Sequence, residues 1–532
     1  MLKVKKYYSS HHCGVGCQRL FHRLSSKFVS TLIKDEIRSD PSFKASDLAK
    51  FFKTSYGINV KYYQAYNGRE KVYEDIFGDE AMSYSHLSWY VDSIRSTNPG
   101  SWIDFQVQTD EPEANEDSSA ELEDEAPSNK FVRLFIAFEA CIHGYRYLRP
   151  MVYVDATFLT GTYRGCLMAA TAINAENGFF PLAMALVPGE DNDNWEWFMR
   201  NLSNVLDHDQ RPITFLSDRA EGLKRAIPFY FPGAFHSFCY YHLKMNLPIN
   251  ASDERYGAVI DSFQAVAYAL SREGFQTAIA TIRGLGCGWV ADYIEDIPPE
   301  KWSNAFFQGC RYGRTSSTLA ESFNSWMKVH KKLPANALLD QIRKDVMSMM
   351  SERRNTGNSF ITILTPKNEN KMKALIDGGL TWLVIQSDTH VYEVEGGDSS
   401  HSVNLEARTC TCQRWRVYGF PCVHAFASIT MSGSNPYDFV EPYFTTSYFN
   451  NAYSHAIHPI PNYNRPEVYE GNDIIDVPDV RRPPGRPQAN RHLSRYEKPP
   501  RRAMRCGNCF ELGHHNKQTC TNPTCYKKPP KQ

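Results

Sequence analysis

The chain has 532 residues, 42% of them hydrophobic and 13% aromatic, with 59 Lys and Arg against 59 Asp and Glu, enough for about three domains with real cores. No run approaches the ~20 apolar residues of a membrane span, and the opening Met1-Leu-Lys-Val-Lys-Lys-Tyr-Tyr is too polar for a signal peptide, so neither a membrane protein nor an exported one is expected. The fourteen cysteines then point to a reducing compartment, where spaced Cys and His pairs bind zinc more often than they form disulfides.

The zero net charge hides an uneven distribution. Residues 110–125 hold nine acids and no base, whereas residues 481–532 hold thirteen Lys or Arg and only Glu497 and Glu511, a net +11. A basic tail of this kind predicts contact with nucleic acid.

Residues 1–106 read as a small α/β region. It opens with His11-His12 and Cys13-Gly-Val-Gly-Cys17, carries helices over 28–37 and 45–56, and closes at Asn98-Pro-Gly-Ser101. Residues 107–129 are acidic, contain Ser and Pro, and read as a disordered linker. Residues 130–366 read as an α/β core. Strands are predicted over 152–158, 165–175 and 179–187, joined by turns at Gly161 and Asn177-Gly178. A helix over 194–206 and strands over 213–217 and 233–237 follow, and the pattern is helical from about 240 to 328.

Three acids stand out in this core. Asp155 lies inside the apolar run that starts Met151-Val-Tyr-Val, where an unpaired carboxylate is costly to bury. It serves either a metal or nearby backbone N–H groups at the strand end. Asp218 ends the β-rich run Ile213-Thr-Phe-Leu-Ser and precedes a helical stretch, the usual location of a site in an α/β sheet. Glu321 rides on an amphipathic helix whose apolar residues are Leu319, Phe323, Trp326 and Met327. Three hard oxygen donors are what two divalent metals need for phosphoryl transfer. Cys239 and His242 make half a zinc set, or a core thiol beside a capping imidazole.

Downstream, Cys410-Thr-Cys412 is followed after nine residues by Cys422-Val-His424. Three thiolates and an imidazole suffice for a closed tetrahedral zinc site, with 413–421 as the turn between the pairs, a strand over 402–405 before them and a helix over 425–429 after them. This module is placed at 375–435, with the aromatic stretch 436–463 packed on it. Beyond 466 the polar, Pro-rich composition predicts disorder through 500. Within that stretch Arg482, Gly485, Arg486 and Pro487 can enter an A·T-rich minor groove in extended form, or serve as a basic spacer or nuclear-import signal. Residues 501–525 hold Cys506, Cys509, His514, His515 and Cys520, a second zinc set in which two adjacent histidines compete for one place and Cys525 is spare.

Five motifs in order carry a resemblance: Tyr153-Val-Asp-Ala-Thr-Phe-Leu-Thr-Gly161, Phe180-Pro-Leu-Ala-Met-Ala185, Trp195-Glu-Trp-Phe198, Cys239-Tyr-Tyr-His242 and Ala320-Glu-Ser-Phe-Asn324. Over nearly its whole length the chain resembles plant Mutator-like (MuDR-type) transposases. The resemblance implies a ribonuclease-H-like α/β core with a helical insertion, in which Asp155, Asp218 and Glu321 are the catalytic triad for Mg²⁺ or Mn²⁺. It also implies a Cys-x-x-His element at Cys239 and His242, and a SWIM zinc finger at Cys410, Cys412, Cys422 and His424. The tail resembles an AT-hook followed by a Cys-Cys-His-Cys zinc knuckle, which in some proteins binds single-stranded nucleic acid. The first region resembles the family's zinc-stabilised, WRKY-like DNA-binding fold. Only the downstream His-x-Cys pair has a counterpart, at His11, His12 and Cys13, so a truncated gene or a decayed copy is expected there. Ala156, Asn194 and Thr318 also depart from the family pattern. Two functions follow. One is a nuclear transposase that cleaves and joins DNA at terminal inverted repeats, with self-association among the expectations. The other is a domesticated, non-catalytic DNA-binding regulator similar to far-red-impaired-response proteins.

Overall fold

The computed structural model describes residues 25–39, 43–110, 128–161, 163–206, 210–316, 323, 326–396, 399–470, 473–478, 504–506, 508–509, 512–513 and 520. The chain opens with helices α1 (Ser26–Leu32), α2 (Lys34–Ser39), α3 (Ala45–Tyr56), α4 (Tyr62–Phe77) and α5 (Met82–Thr97). The single helix expected over 28–37 is two. The Ser25 side chain caps α1 by accepting from Phe28 N, and the chain leaves helical geometry at Ile33, with φ −108° and ψ 7°. The break keeps Val29, Ile33 and Ile37 all buried. Gly57, at φ +66°, stops α3 through the left-handed conformation that glycine adopts without steric cost.

Among the described residues of the first region the elements before Trp102 are all helices, and the first strand, β1 (Trp102–Asp110), belongs to the main sheet. β1 pairs antiparallel with β2 (Ser128–Ala137) from Trp102↔Ala137 to Asp110↔Ser128. The expected linker over 107–129 therefore begins and ends inside strands and joins the two arms of a hairpin. Only its middle, 111–127, lies outside the described residues. The cause is cross-strand pairing, which local polarity does not reveal.

After helix α6 (Glu139–Tyr145) come β3 (Met151–Phe158), β4 (Cys166–Ile173) and β5 (Phe179–Val187), an antiparallel meander. Asn177 sits at φ +64° in the second turn, a conformation Asn tolerates. All eight residues of β4 are buried, so both faces of the sheet are covered, as the run Cys-Leu-Met-Ala-Ala-Thr-Ala-Ile requires. Helix α7 (Asn192–Leu206) lies on the sheet through Trp195, Phe198, Met199 and Leu202. Its Trp197 Nε1 and Asn201 Nδ2 donate to Asp104 on β1, at 2.7 and 2.9 Å. β6 (Thr214–Ser217), helix α8 (Glu221–Tyr230) and β7 (Phe235–Phe238) extend the sheet in parallel, giving the order β1-β2-β5-β4-β3-β6-β7.

The predicted helical stretch is present as α9 (Tyr240–Met245), α10 (Tyr256–Tyr268), α11 (Arg272–Gly284) and α12 (Gly288–Glu295). They close a separate core around Phe263, Ile279, Val290 and Trp302. The long helix Ala335–Asn358 returns to the main core, burying Leu338, Leu339, Ile342 and Val346.

The finger module follows as the antiparallel sheet β8 (Leu383–Asp388), β9 (Val391–Gly396), β10 (Ser399–Asn404), β11 (Thr409–Cys410) with the helix Val423–Ser432. Where a turn is expected over 413–421, a short helix Arg414–Tyr418 stands between two left-handed residues, Gln413 at φ +60° and Gly419 at φ +59°. The stretch 436–463 divides. Val440 and Phe444 join the finger core, but Phe449, Ala452, Tyr453, Ile457 and Ile460 pack in the main core. Gly144 on α6 permits this return, because a Cβ there would collide with the Ala452 carbonyl oxygen.

Disorder beyond 466 is corrected at 473–478. β12 (Ile475–Asp476) pairs parallel with β2, Ile475 facing Asn129. Ile475 is buried, and its backbone N and O both bond to Ser85 Oγ of α5, at 3.1 and 3.3 Å. The burial of one β-branched residue and its bonds to Ser85 and β2 override the polar composition around it.

Candidate functional site

Asp155 occupies the fifth position of β3, opposite Ala169 of β4. On the other side of β3 the parallel register runs Met151↔Thr214, Val152↔Phe215, Tyr153↔Leu216. Continuing this register by two residues sets Asp155, in the C-terminal half of β3, level with Asp218, just past the end of the parallel strand β6. Asp218 is buried and its Oδ1 accepts from Ala220 N at 3.0 Å, which fixes the carboxylate at the entrance to α8. Asp155 is half-buried, and its Oδ1 accepts from Ala156 N at 2.9 Å. A backbone donor thus holds one Asp155 oxygen, the strand-end expectation, and the strand register sets Asp218 level with it.

Glu321 lies outside the described residues. Its helical neighbours do not: Phe323 and Met327 are buried in the main core, and Trp326 packs 5.8 Å from Phe179. Lys331 follows, and its carbonyl accepts from Thr160 N at 2.8 Å, just past the end of β3. Burial lowers the Lys331 ammonium pKa, opposed by the Cys166 thiol and the Asp155 carboxylate. No sequence motif singles out Lys331; its signal is the basic run Lys328-Val-His-Lys331 shortly after Glu321 in the sequence.

Beneath the acids lies a polar layer that sequence reasoning also missed. Ser217 Oγ donates to the Asp218 carbonyl at 2.7 Å and shares a hydrogen bond with His236 Nε2 at 2.9 Å. Burial, reinforced by Lys301 and Lys224, lowers the His236 pKa to about 3. The unfolded imidazole takes up a proton near its ordinary pKa of about 6.5, whereas the folded one stays neutral. Stability from this group is therefore complete above about pH 6.5 and is lost as pH falls toward about 3. Between about pH 7.5 and about pH 5 the loss is about 2 kcal/mol. A His236→Gln variant, which keeps a partner for Ser217, is expected to show a urea-unfolding profile flatter by that amount; an unchanged slope counts against the assignment.

Cys239 is buried one residue past β7, its N–H donating to the Ser217 carbonyl at 2.7 Å. It shares a small apolar cluster with Tyr153, Leu216 and Tyr312. His242 follows on α9. Among the described residues no set of three or more metal-donor side chains includes either.

The finger ligands do converge. The Sγ atoms of Cys410, Cys412 and Cys422 and a ring nitrogen of His424 all lie within 4.8 Å of one another, with Cys410 Sγ 3.5 Å from His424 Nδ1. Cys410 is fixed by β11 pairing with Val403, and Cys422 and His424 by the start of the helix Val423–Ser432. Cys410, Cys422 and His424 are buried, and Cys412 is half-buried. The Cys412 thiol is pulled far down because Cys410 and Cys422 both donate to its sulfur, and Cys422 is pushed up to about 11. A compact S₃N set fits structural zinc.

In the tail, Cys506, Cys509 and Cys520 bring their sulfurs within 4.8 Å of one another beside the hairpin β13 (Met504–Arg505) and β14 (Leu512–Gly513). His514, His515 and Cys525 lie outside the described residues, as do His11, His12, Cys13 and Cys17, and Arg482, Gly485, Arg486 and Pro487. Among the described residues no helix is long and apolar enough to cross a membrane.

Comparison with known proteins agrees with this layout. The MULE transposase domain matches residues 151–246, a span holding Asp155, Asp218, Cys239 and His242. The SWIM zinc finger matches residues 392–433, holding all four converged ligands. Protein FAR1-RELATED SEQUENCE 6 of Arabidopsis thaliana is 21% identical over 334 residues, covering 54% of this chain and 47% of that protein, so the chain spans about half the length of this relative.

Proposed function

We propose that this chain, which carries a MULE transposase domain followed by a SWIM zinc finger, acts on DNA in the nucleus as a Mutator-like transposase or a direct descendant of one. The observation that carries the reading is the level placement of Asp155 and Asp218 on neighbouring parallel strands. In this reading the five strands from β3 to β7 form a ribonuclease-H-like core, and Glu321, two residues ahead of the buried Phe323, completes the acidic set. The three carboxylates would hold two Mg²⁺ or Mn²⁺ ions, which would supply Lewis-acid chemistry for phosphoryl transfer. The chain itself orients Asp218 through Ala220 N and Asp155 through Ala156 N, and sets Lys331 at the end of β3 for the DNA phosphates. The SWIM finger, the tail cysteines and the basic segment with Arg482 and Arg486 hold DNA, the last in an A·T-rich minor groove.

The second reading is a DNA-binding regulator without catalysis, favoured by the alignment with a FAR1-related protein. One experiment separates them. The purified chain is offered the terminal repeats flanking its own gene with Mg²⁺ or Mn²⁺, beside an Asp218→Ala control. Cleavage and strand transfer lost in the control support the transposase. Equal silence, with DNA bound and zinc in place, supports the regulator. Failure to bind DNA at all sinks both.

A further inference from the structure

We propose that Glu139, His143 and His455 form a binding site for a divalent cation of the borderline class, with Zn²⁺ as the prototype, that clips the segment after the finger onto helix α6. The three side chains come from parts of the chain more than 300 residues apart, His455 from His143 by 312 and from Glu139 by 316, the latter pair sharing a hydrogen bond. One ligand atom from each lies within 4.8 Å of the others.

The sequence prepares half of the site. Glu139 and His143 are four apart on α6, so both side chains leave one helix face. The other half arrives with the returning chain. Tyr453 is buried in the main core, and the Arg354 guanidinium donates to the Tyr453 and His455 carbonyls at 2.7 and 2.8 Å. Two residues beyond His455, Ile457 is buried as well, and His458 N donates to Asn98 Oδ1 at 2.7 Å. His455 is thus held from both sides and presented to α6.

The local geometry gathers the donors, and one ring must turn out of the stack for both nitrogens to face one ion. His455 Nδ1 lies 2.9 Å from both Glu139 oxygens. The His143 and His455 rings stack face to face, with centroids 3.6 Å apart and planes 6° apart. Two imidazoles at that distance cannot both be protonated cheaply, whereas two neutral imidazoles and a carboxylate can share one divalent ion. An N₂O donor set selects Zn²⁺ and its neighbours over Mg²⁺ or Ca²⁺, which prefer all-oxygen shells. A cavity of about 350 Å³, lined by Asn98, Glu139, His455 and His458 among others, leaves room for water in the remaining coordination position. None of these residues belongs to the acidic pair or to either cysteine cluster.

The test uses the full chain, with zinc counted per molecule at about pH 7.5, where the free imidazole is mostly neutral. Wild type is expected to bind one equivalent more than H143A or H455A, and E139Q is expected to weaken that equivalent about tenfold or more. In Co²⁺-substituted protein, the thiolate charge-transfer absorption should be equal in wild type and variants, which separates this ion from the finger ion. Amide exchange over residues 454–458 should slow at least about tenfold on adding Zn²⁺ to wild type and not change in the variants. Equal stoichiometry in wild type and variants overturns the site. Binding without slowed exchange overturns the clip.

Discussion

Cys422→Ser is expected to release one zinc per chain and to unfold the finger between residues 383 and 444. Cys410 and Cys422 are both buried, and with His424 they tie β11 to the start of the helix Val423–Ser432. The excursion between the Cys412 and Cys422 ligands turns through two left-handed residues and carries only the short helix Arg414–Tyr418. Without the metal, two buried thiols, a half-buried one and a buried imidazole would stand at close quarters with nothing to share. Structural zinc contributes about 10–16 kcal/mol of binding free energy in small fingers, more than a module of this size holds in apolar packing. The damage should spread. Arg416 donates to the carbonyls of Asn304, at 2.9 Å, and Phe307, and Gly313 N donates to the Val417 carbonyl at 3.1 Å. These bonds dock the finger on the loop after the helical insertion. Zinc counting with amide exchange over 392–433 is the check, and Cys287→Ser is the control, a buried cysteine outside both clusters. Full protection after zinc loss would falsify a folding role for the metal.

The second large effect concerns Asp155 and Asp218, where activity and stability should move in opposite directions. Asn at either position keeps an Oδ1 acceptor for Ala156 N or Ala220 N, so the backbone anchor survives. It removes one of two like charges held level on adjacent strands. Each single Asn variant is expected to lose about a thousandfold or more of any divalent-metal-dependent cleavage, and the double variant no more than either single one, because ligands of one site act as a unit. The melting temperature should stay level or rise. A drop of several degrees in both single variants would instead assign the acids to structure.

Most of what positions the acids was legible before any coordinates. β3, β4, β5 and α7 announce themselves because each is a long apolar or amphipathic run with its own turn chemistry. The finger is legible because four ligands at fixed spacing encode their own convergence. What escaped depends on partners far away in the chain. β1 is a strand because β2 waits across a polar loop, and β12 because Ser85 and the edge of β2 offer a place for Ile475. Even the Glu139–His143 pair is ordinary until His455 returns to it. The break at Ile33 escaped for the opposite reason: it changes no periodicity, only the cap.

That returning segment also sets an order of events during synthesis. Ser85 and its partner Ile475 are 390 residues apart, and the finger lies between them. The main sheet emerges from the ribosome long before the residues that cover its edge and fill the space around α6. Ribosomal synthesis runs at about 5–20 residues per second, so the uncovered edge of β2 and the pocket for Tyr453 stay open for tens of seconds. Over that interval the nascent chain presents a short unpaired strand edge at Asn129 and Lys130 and apolar surface, the features that recruit chaperones or neighbouring chains. The finger can close around its own metal in the meantime, and the core can finish only afterwards.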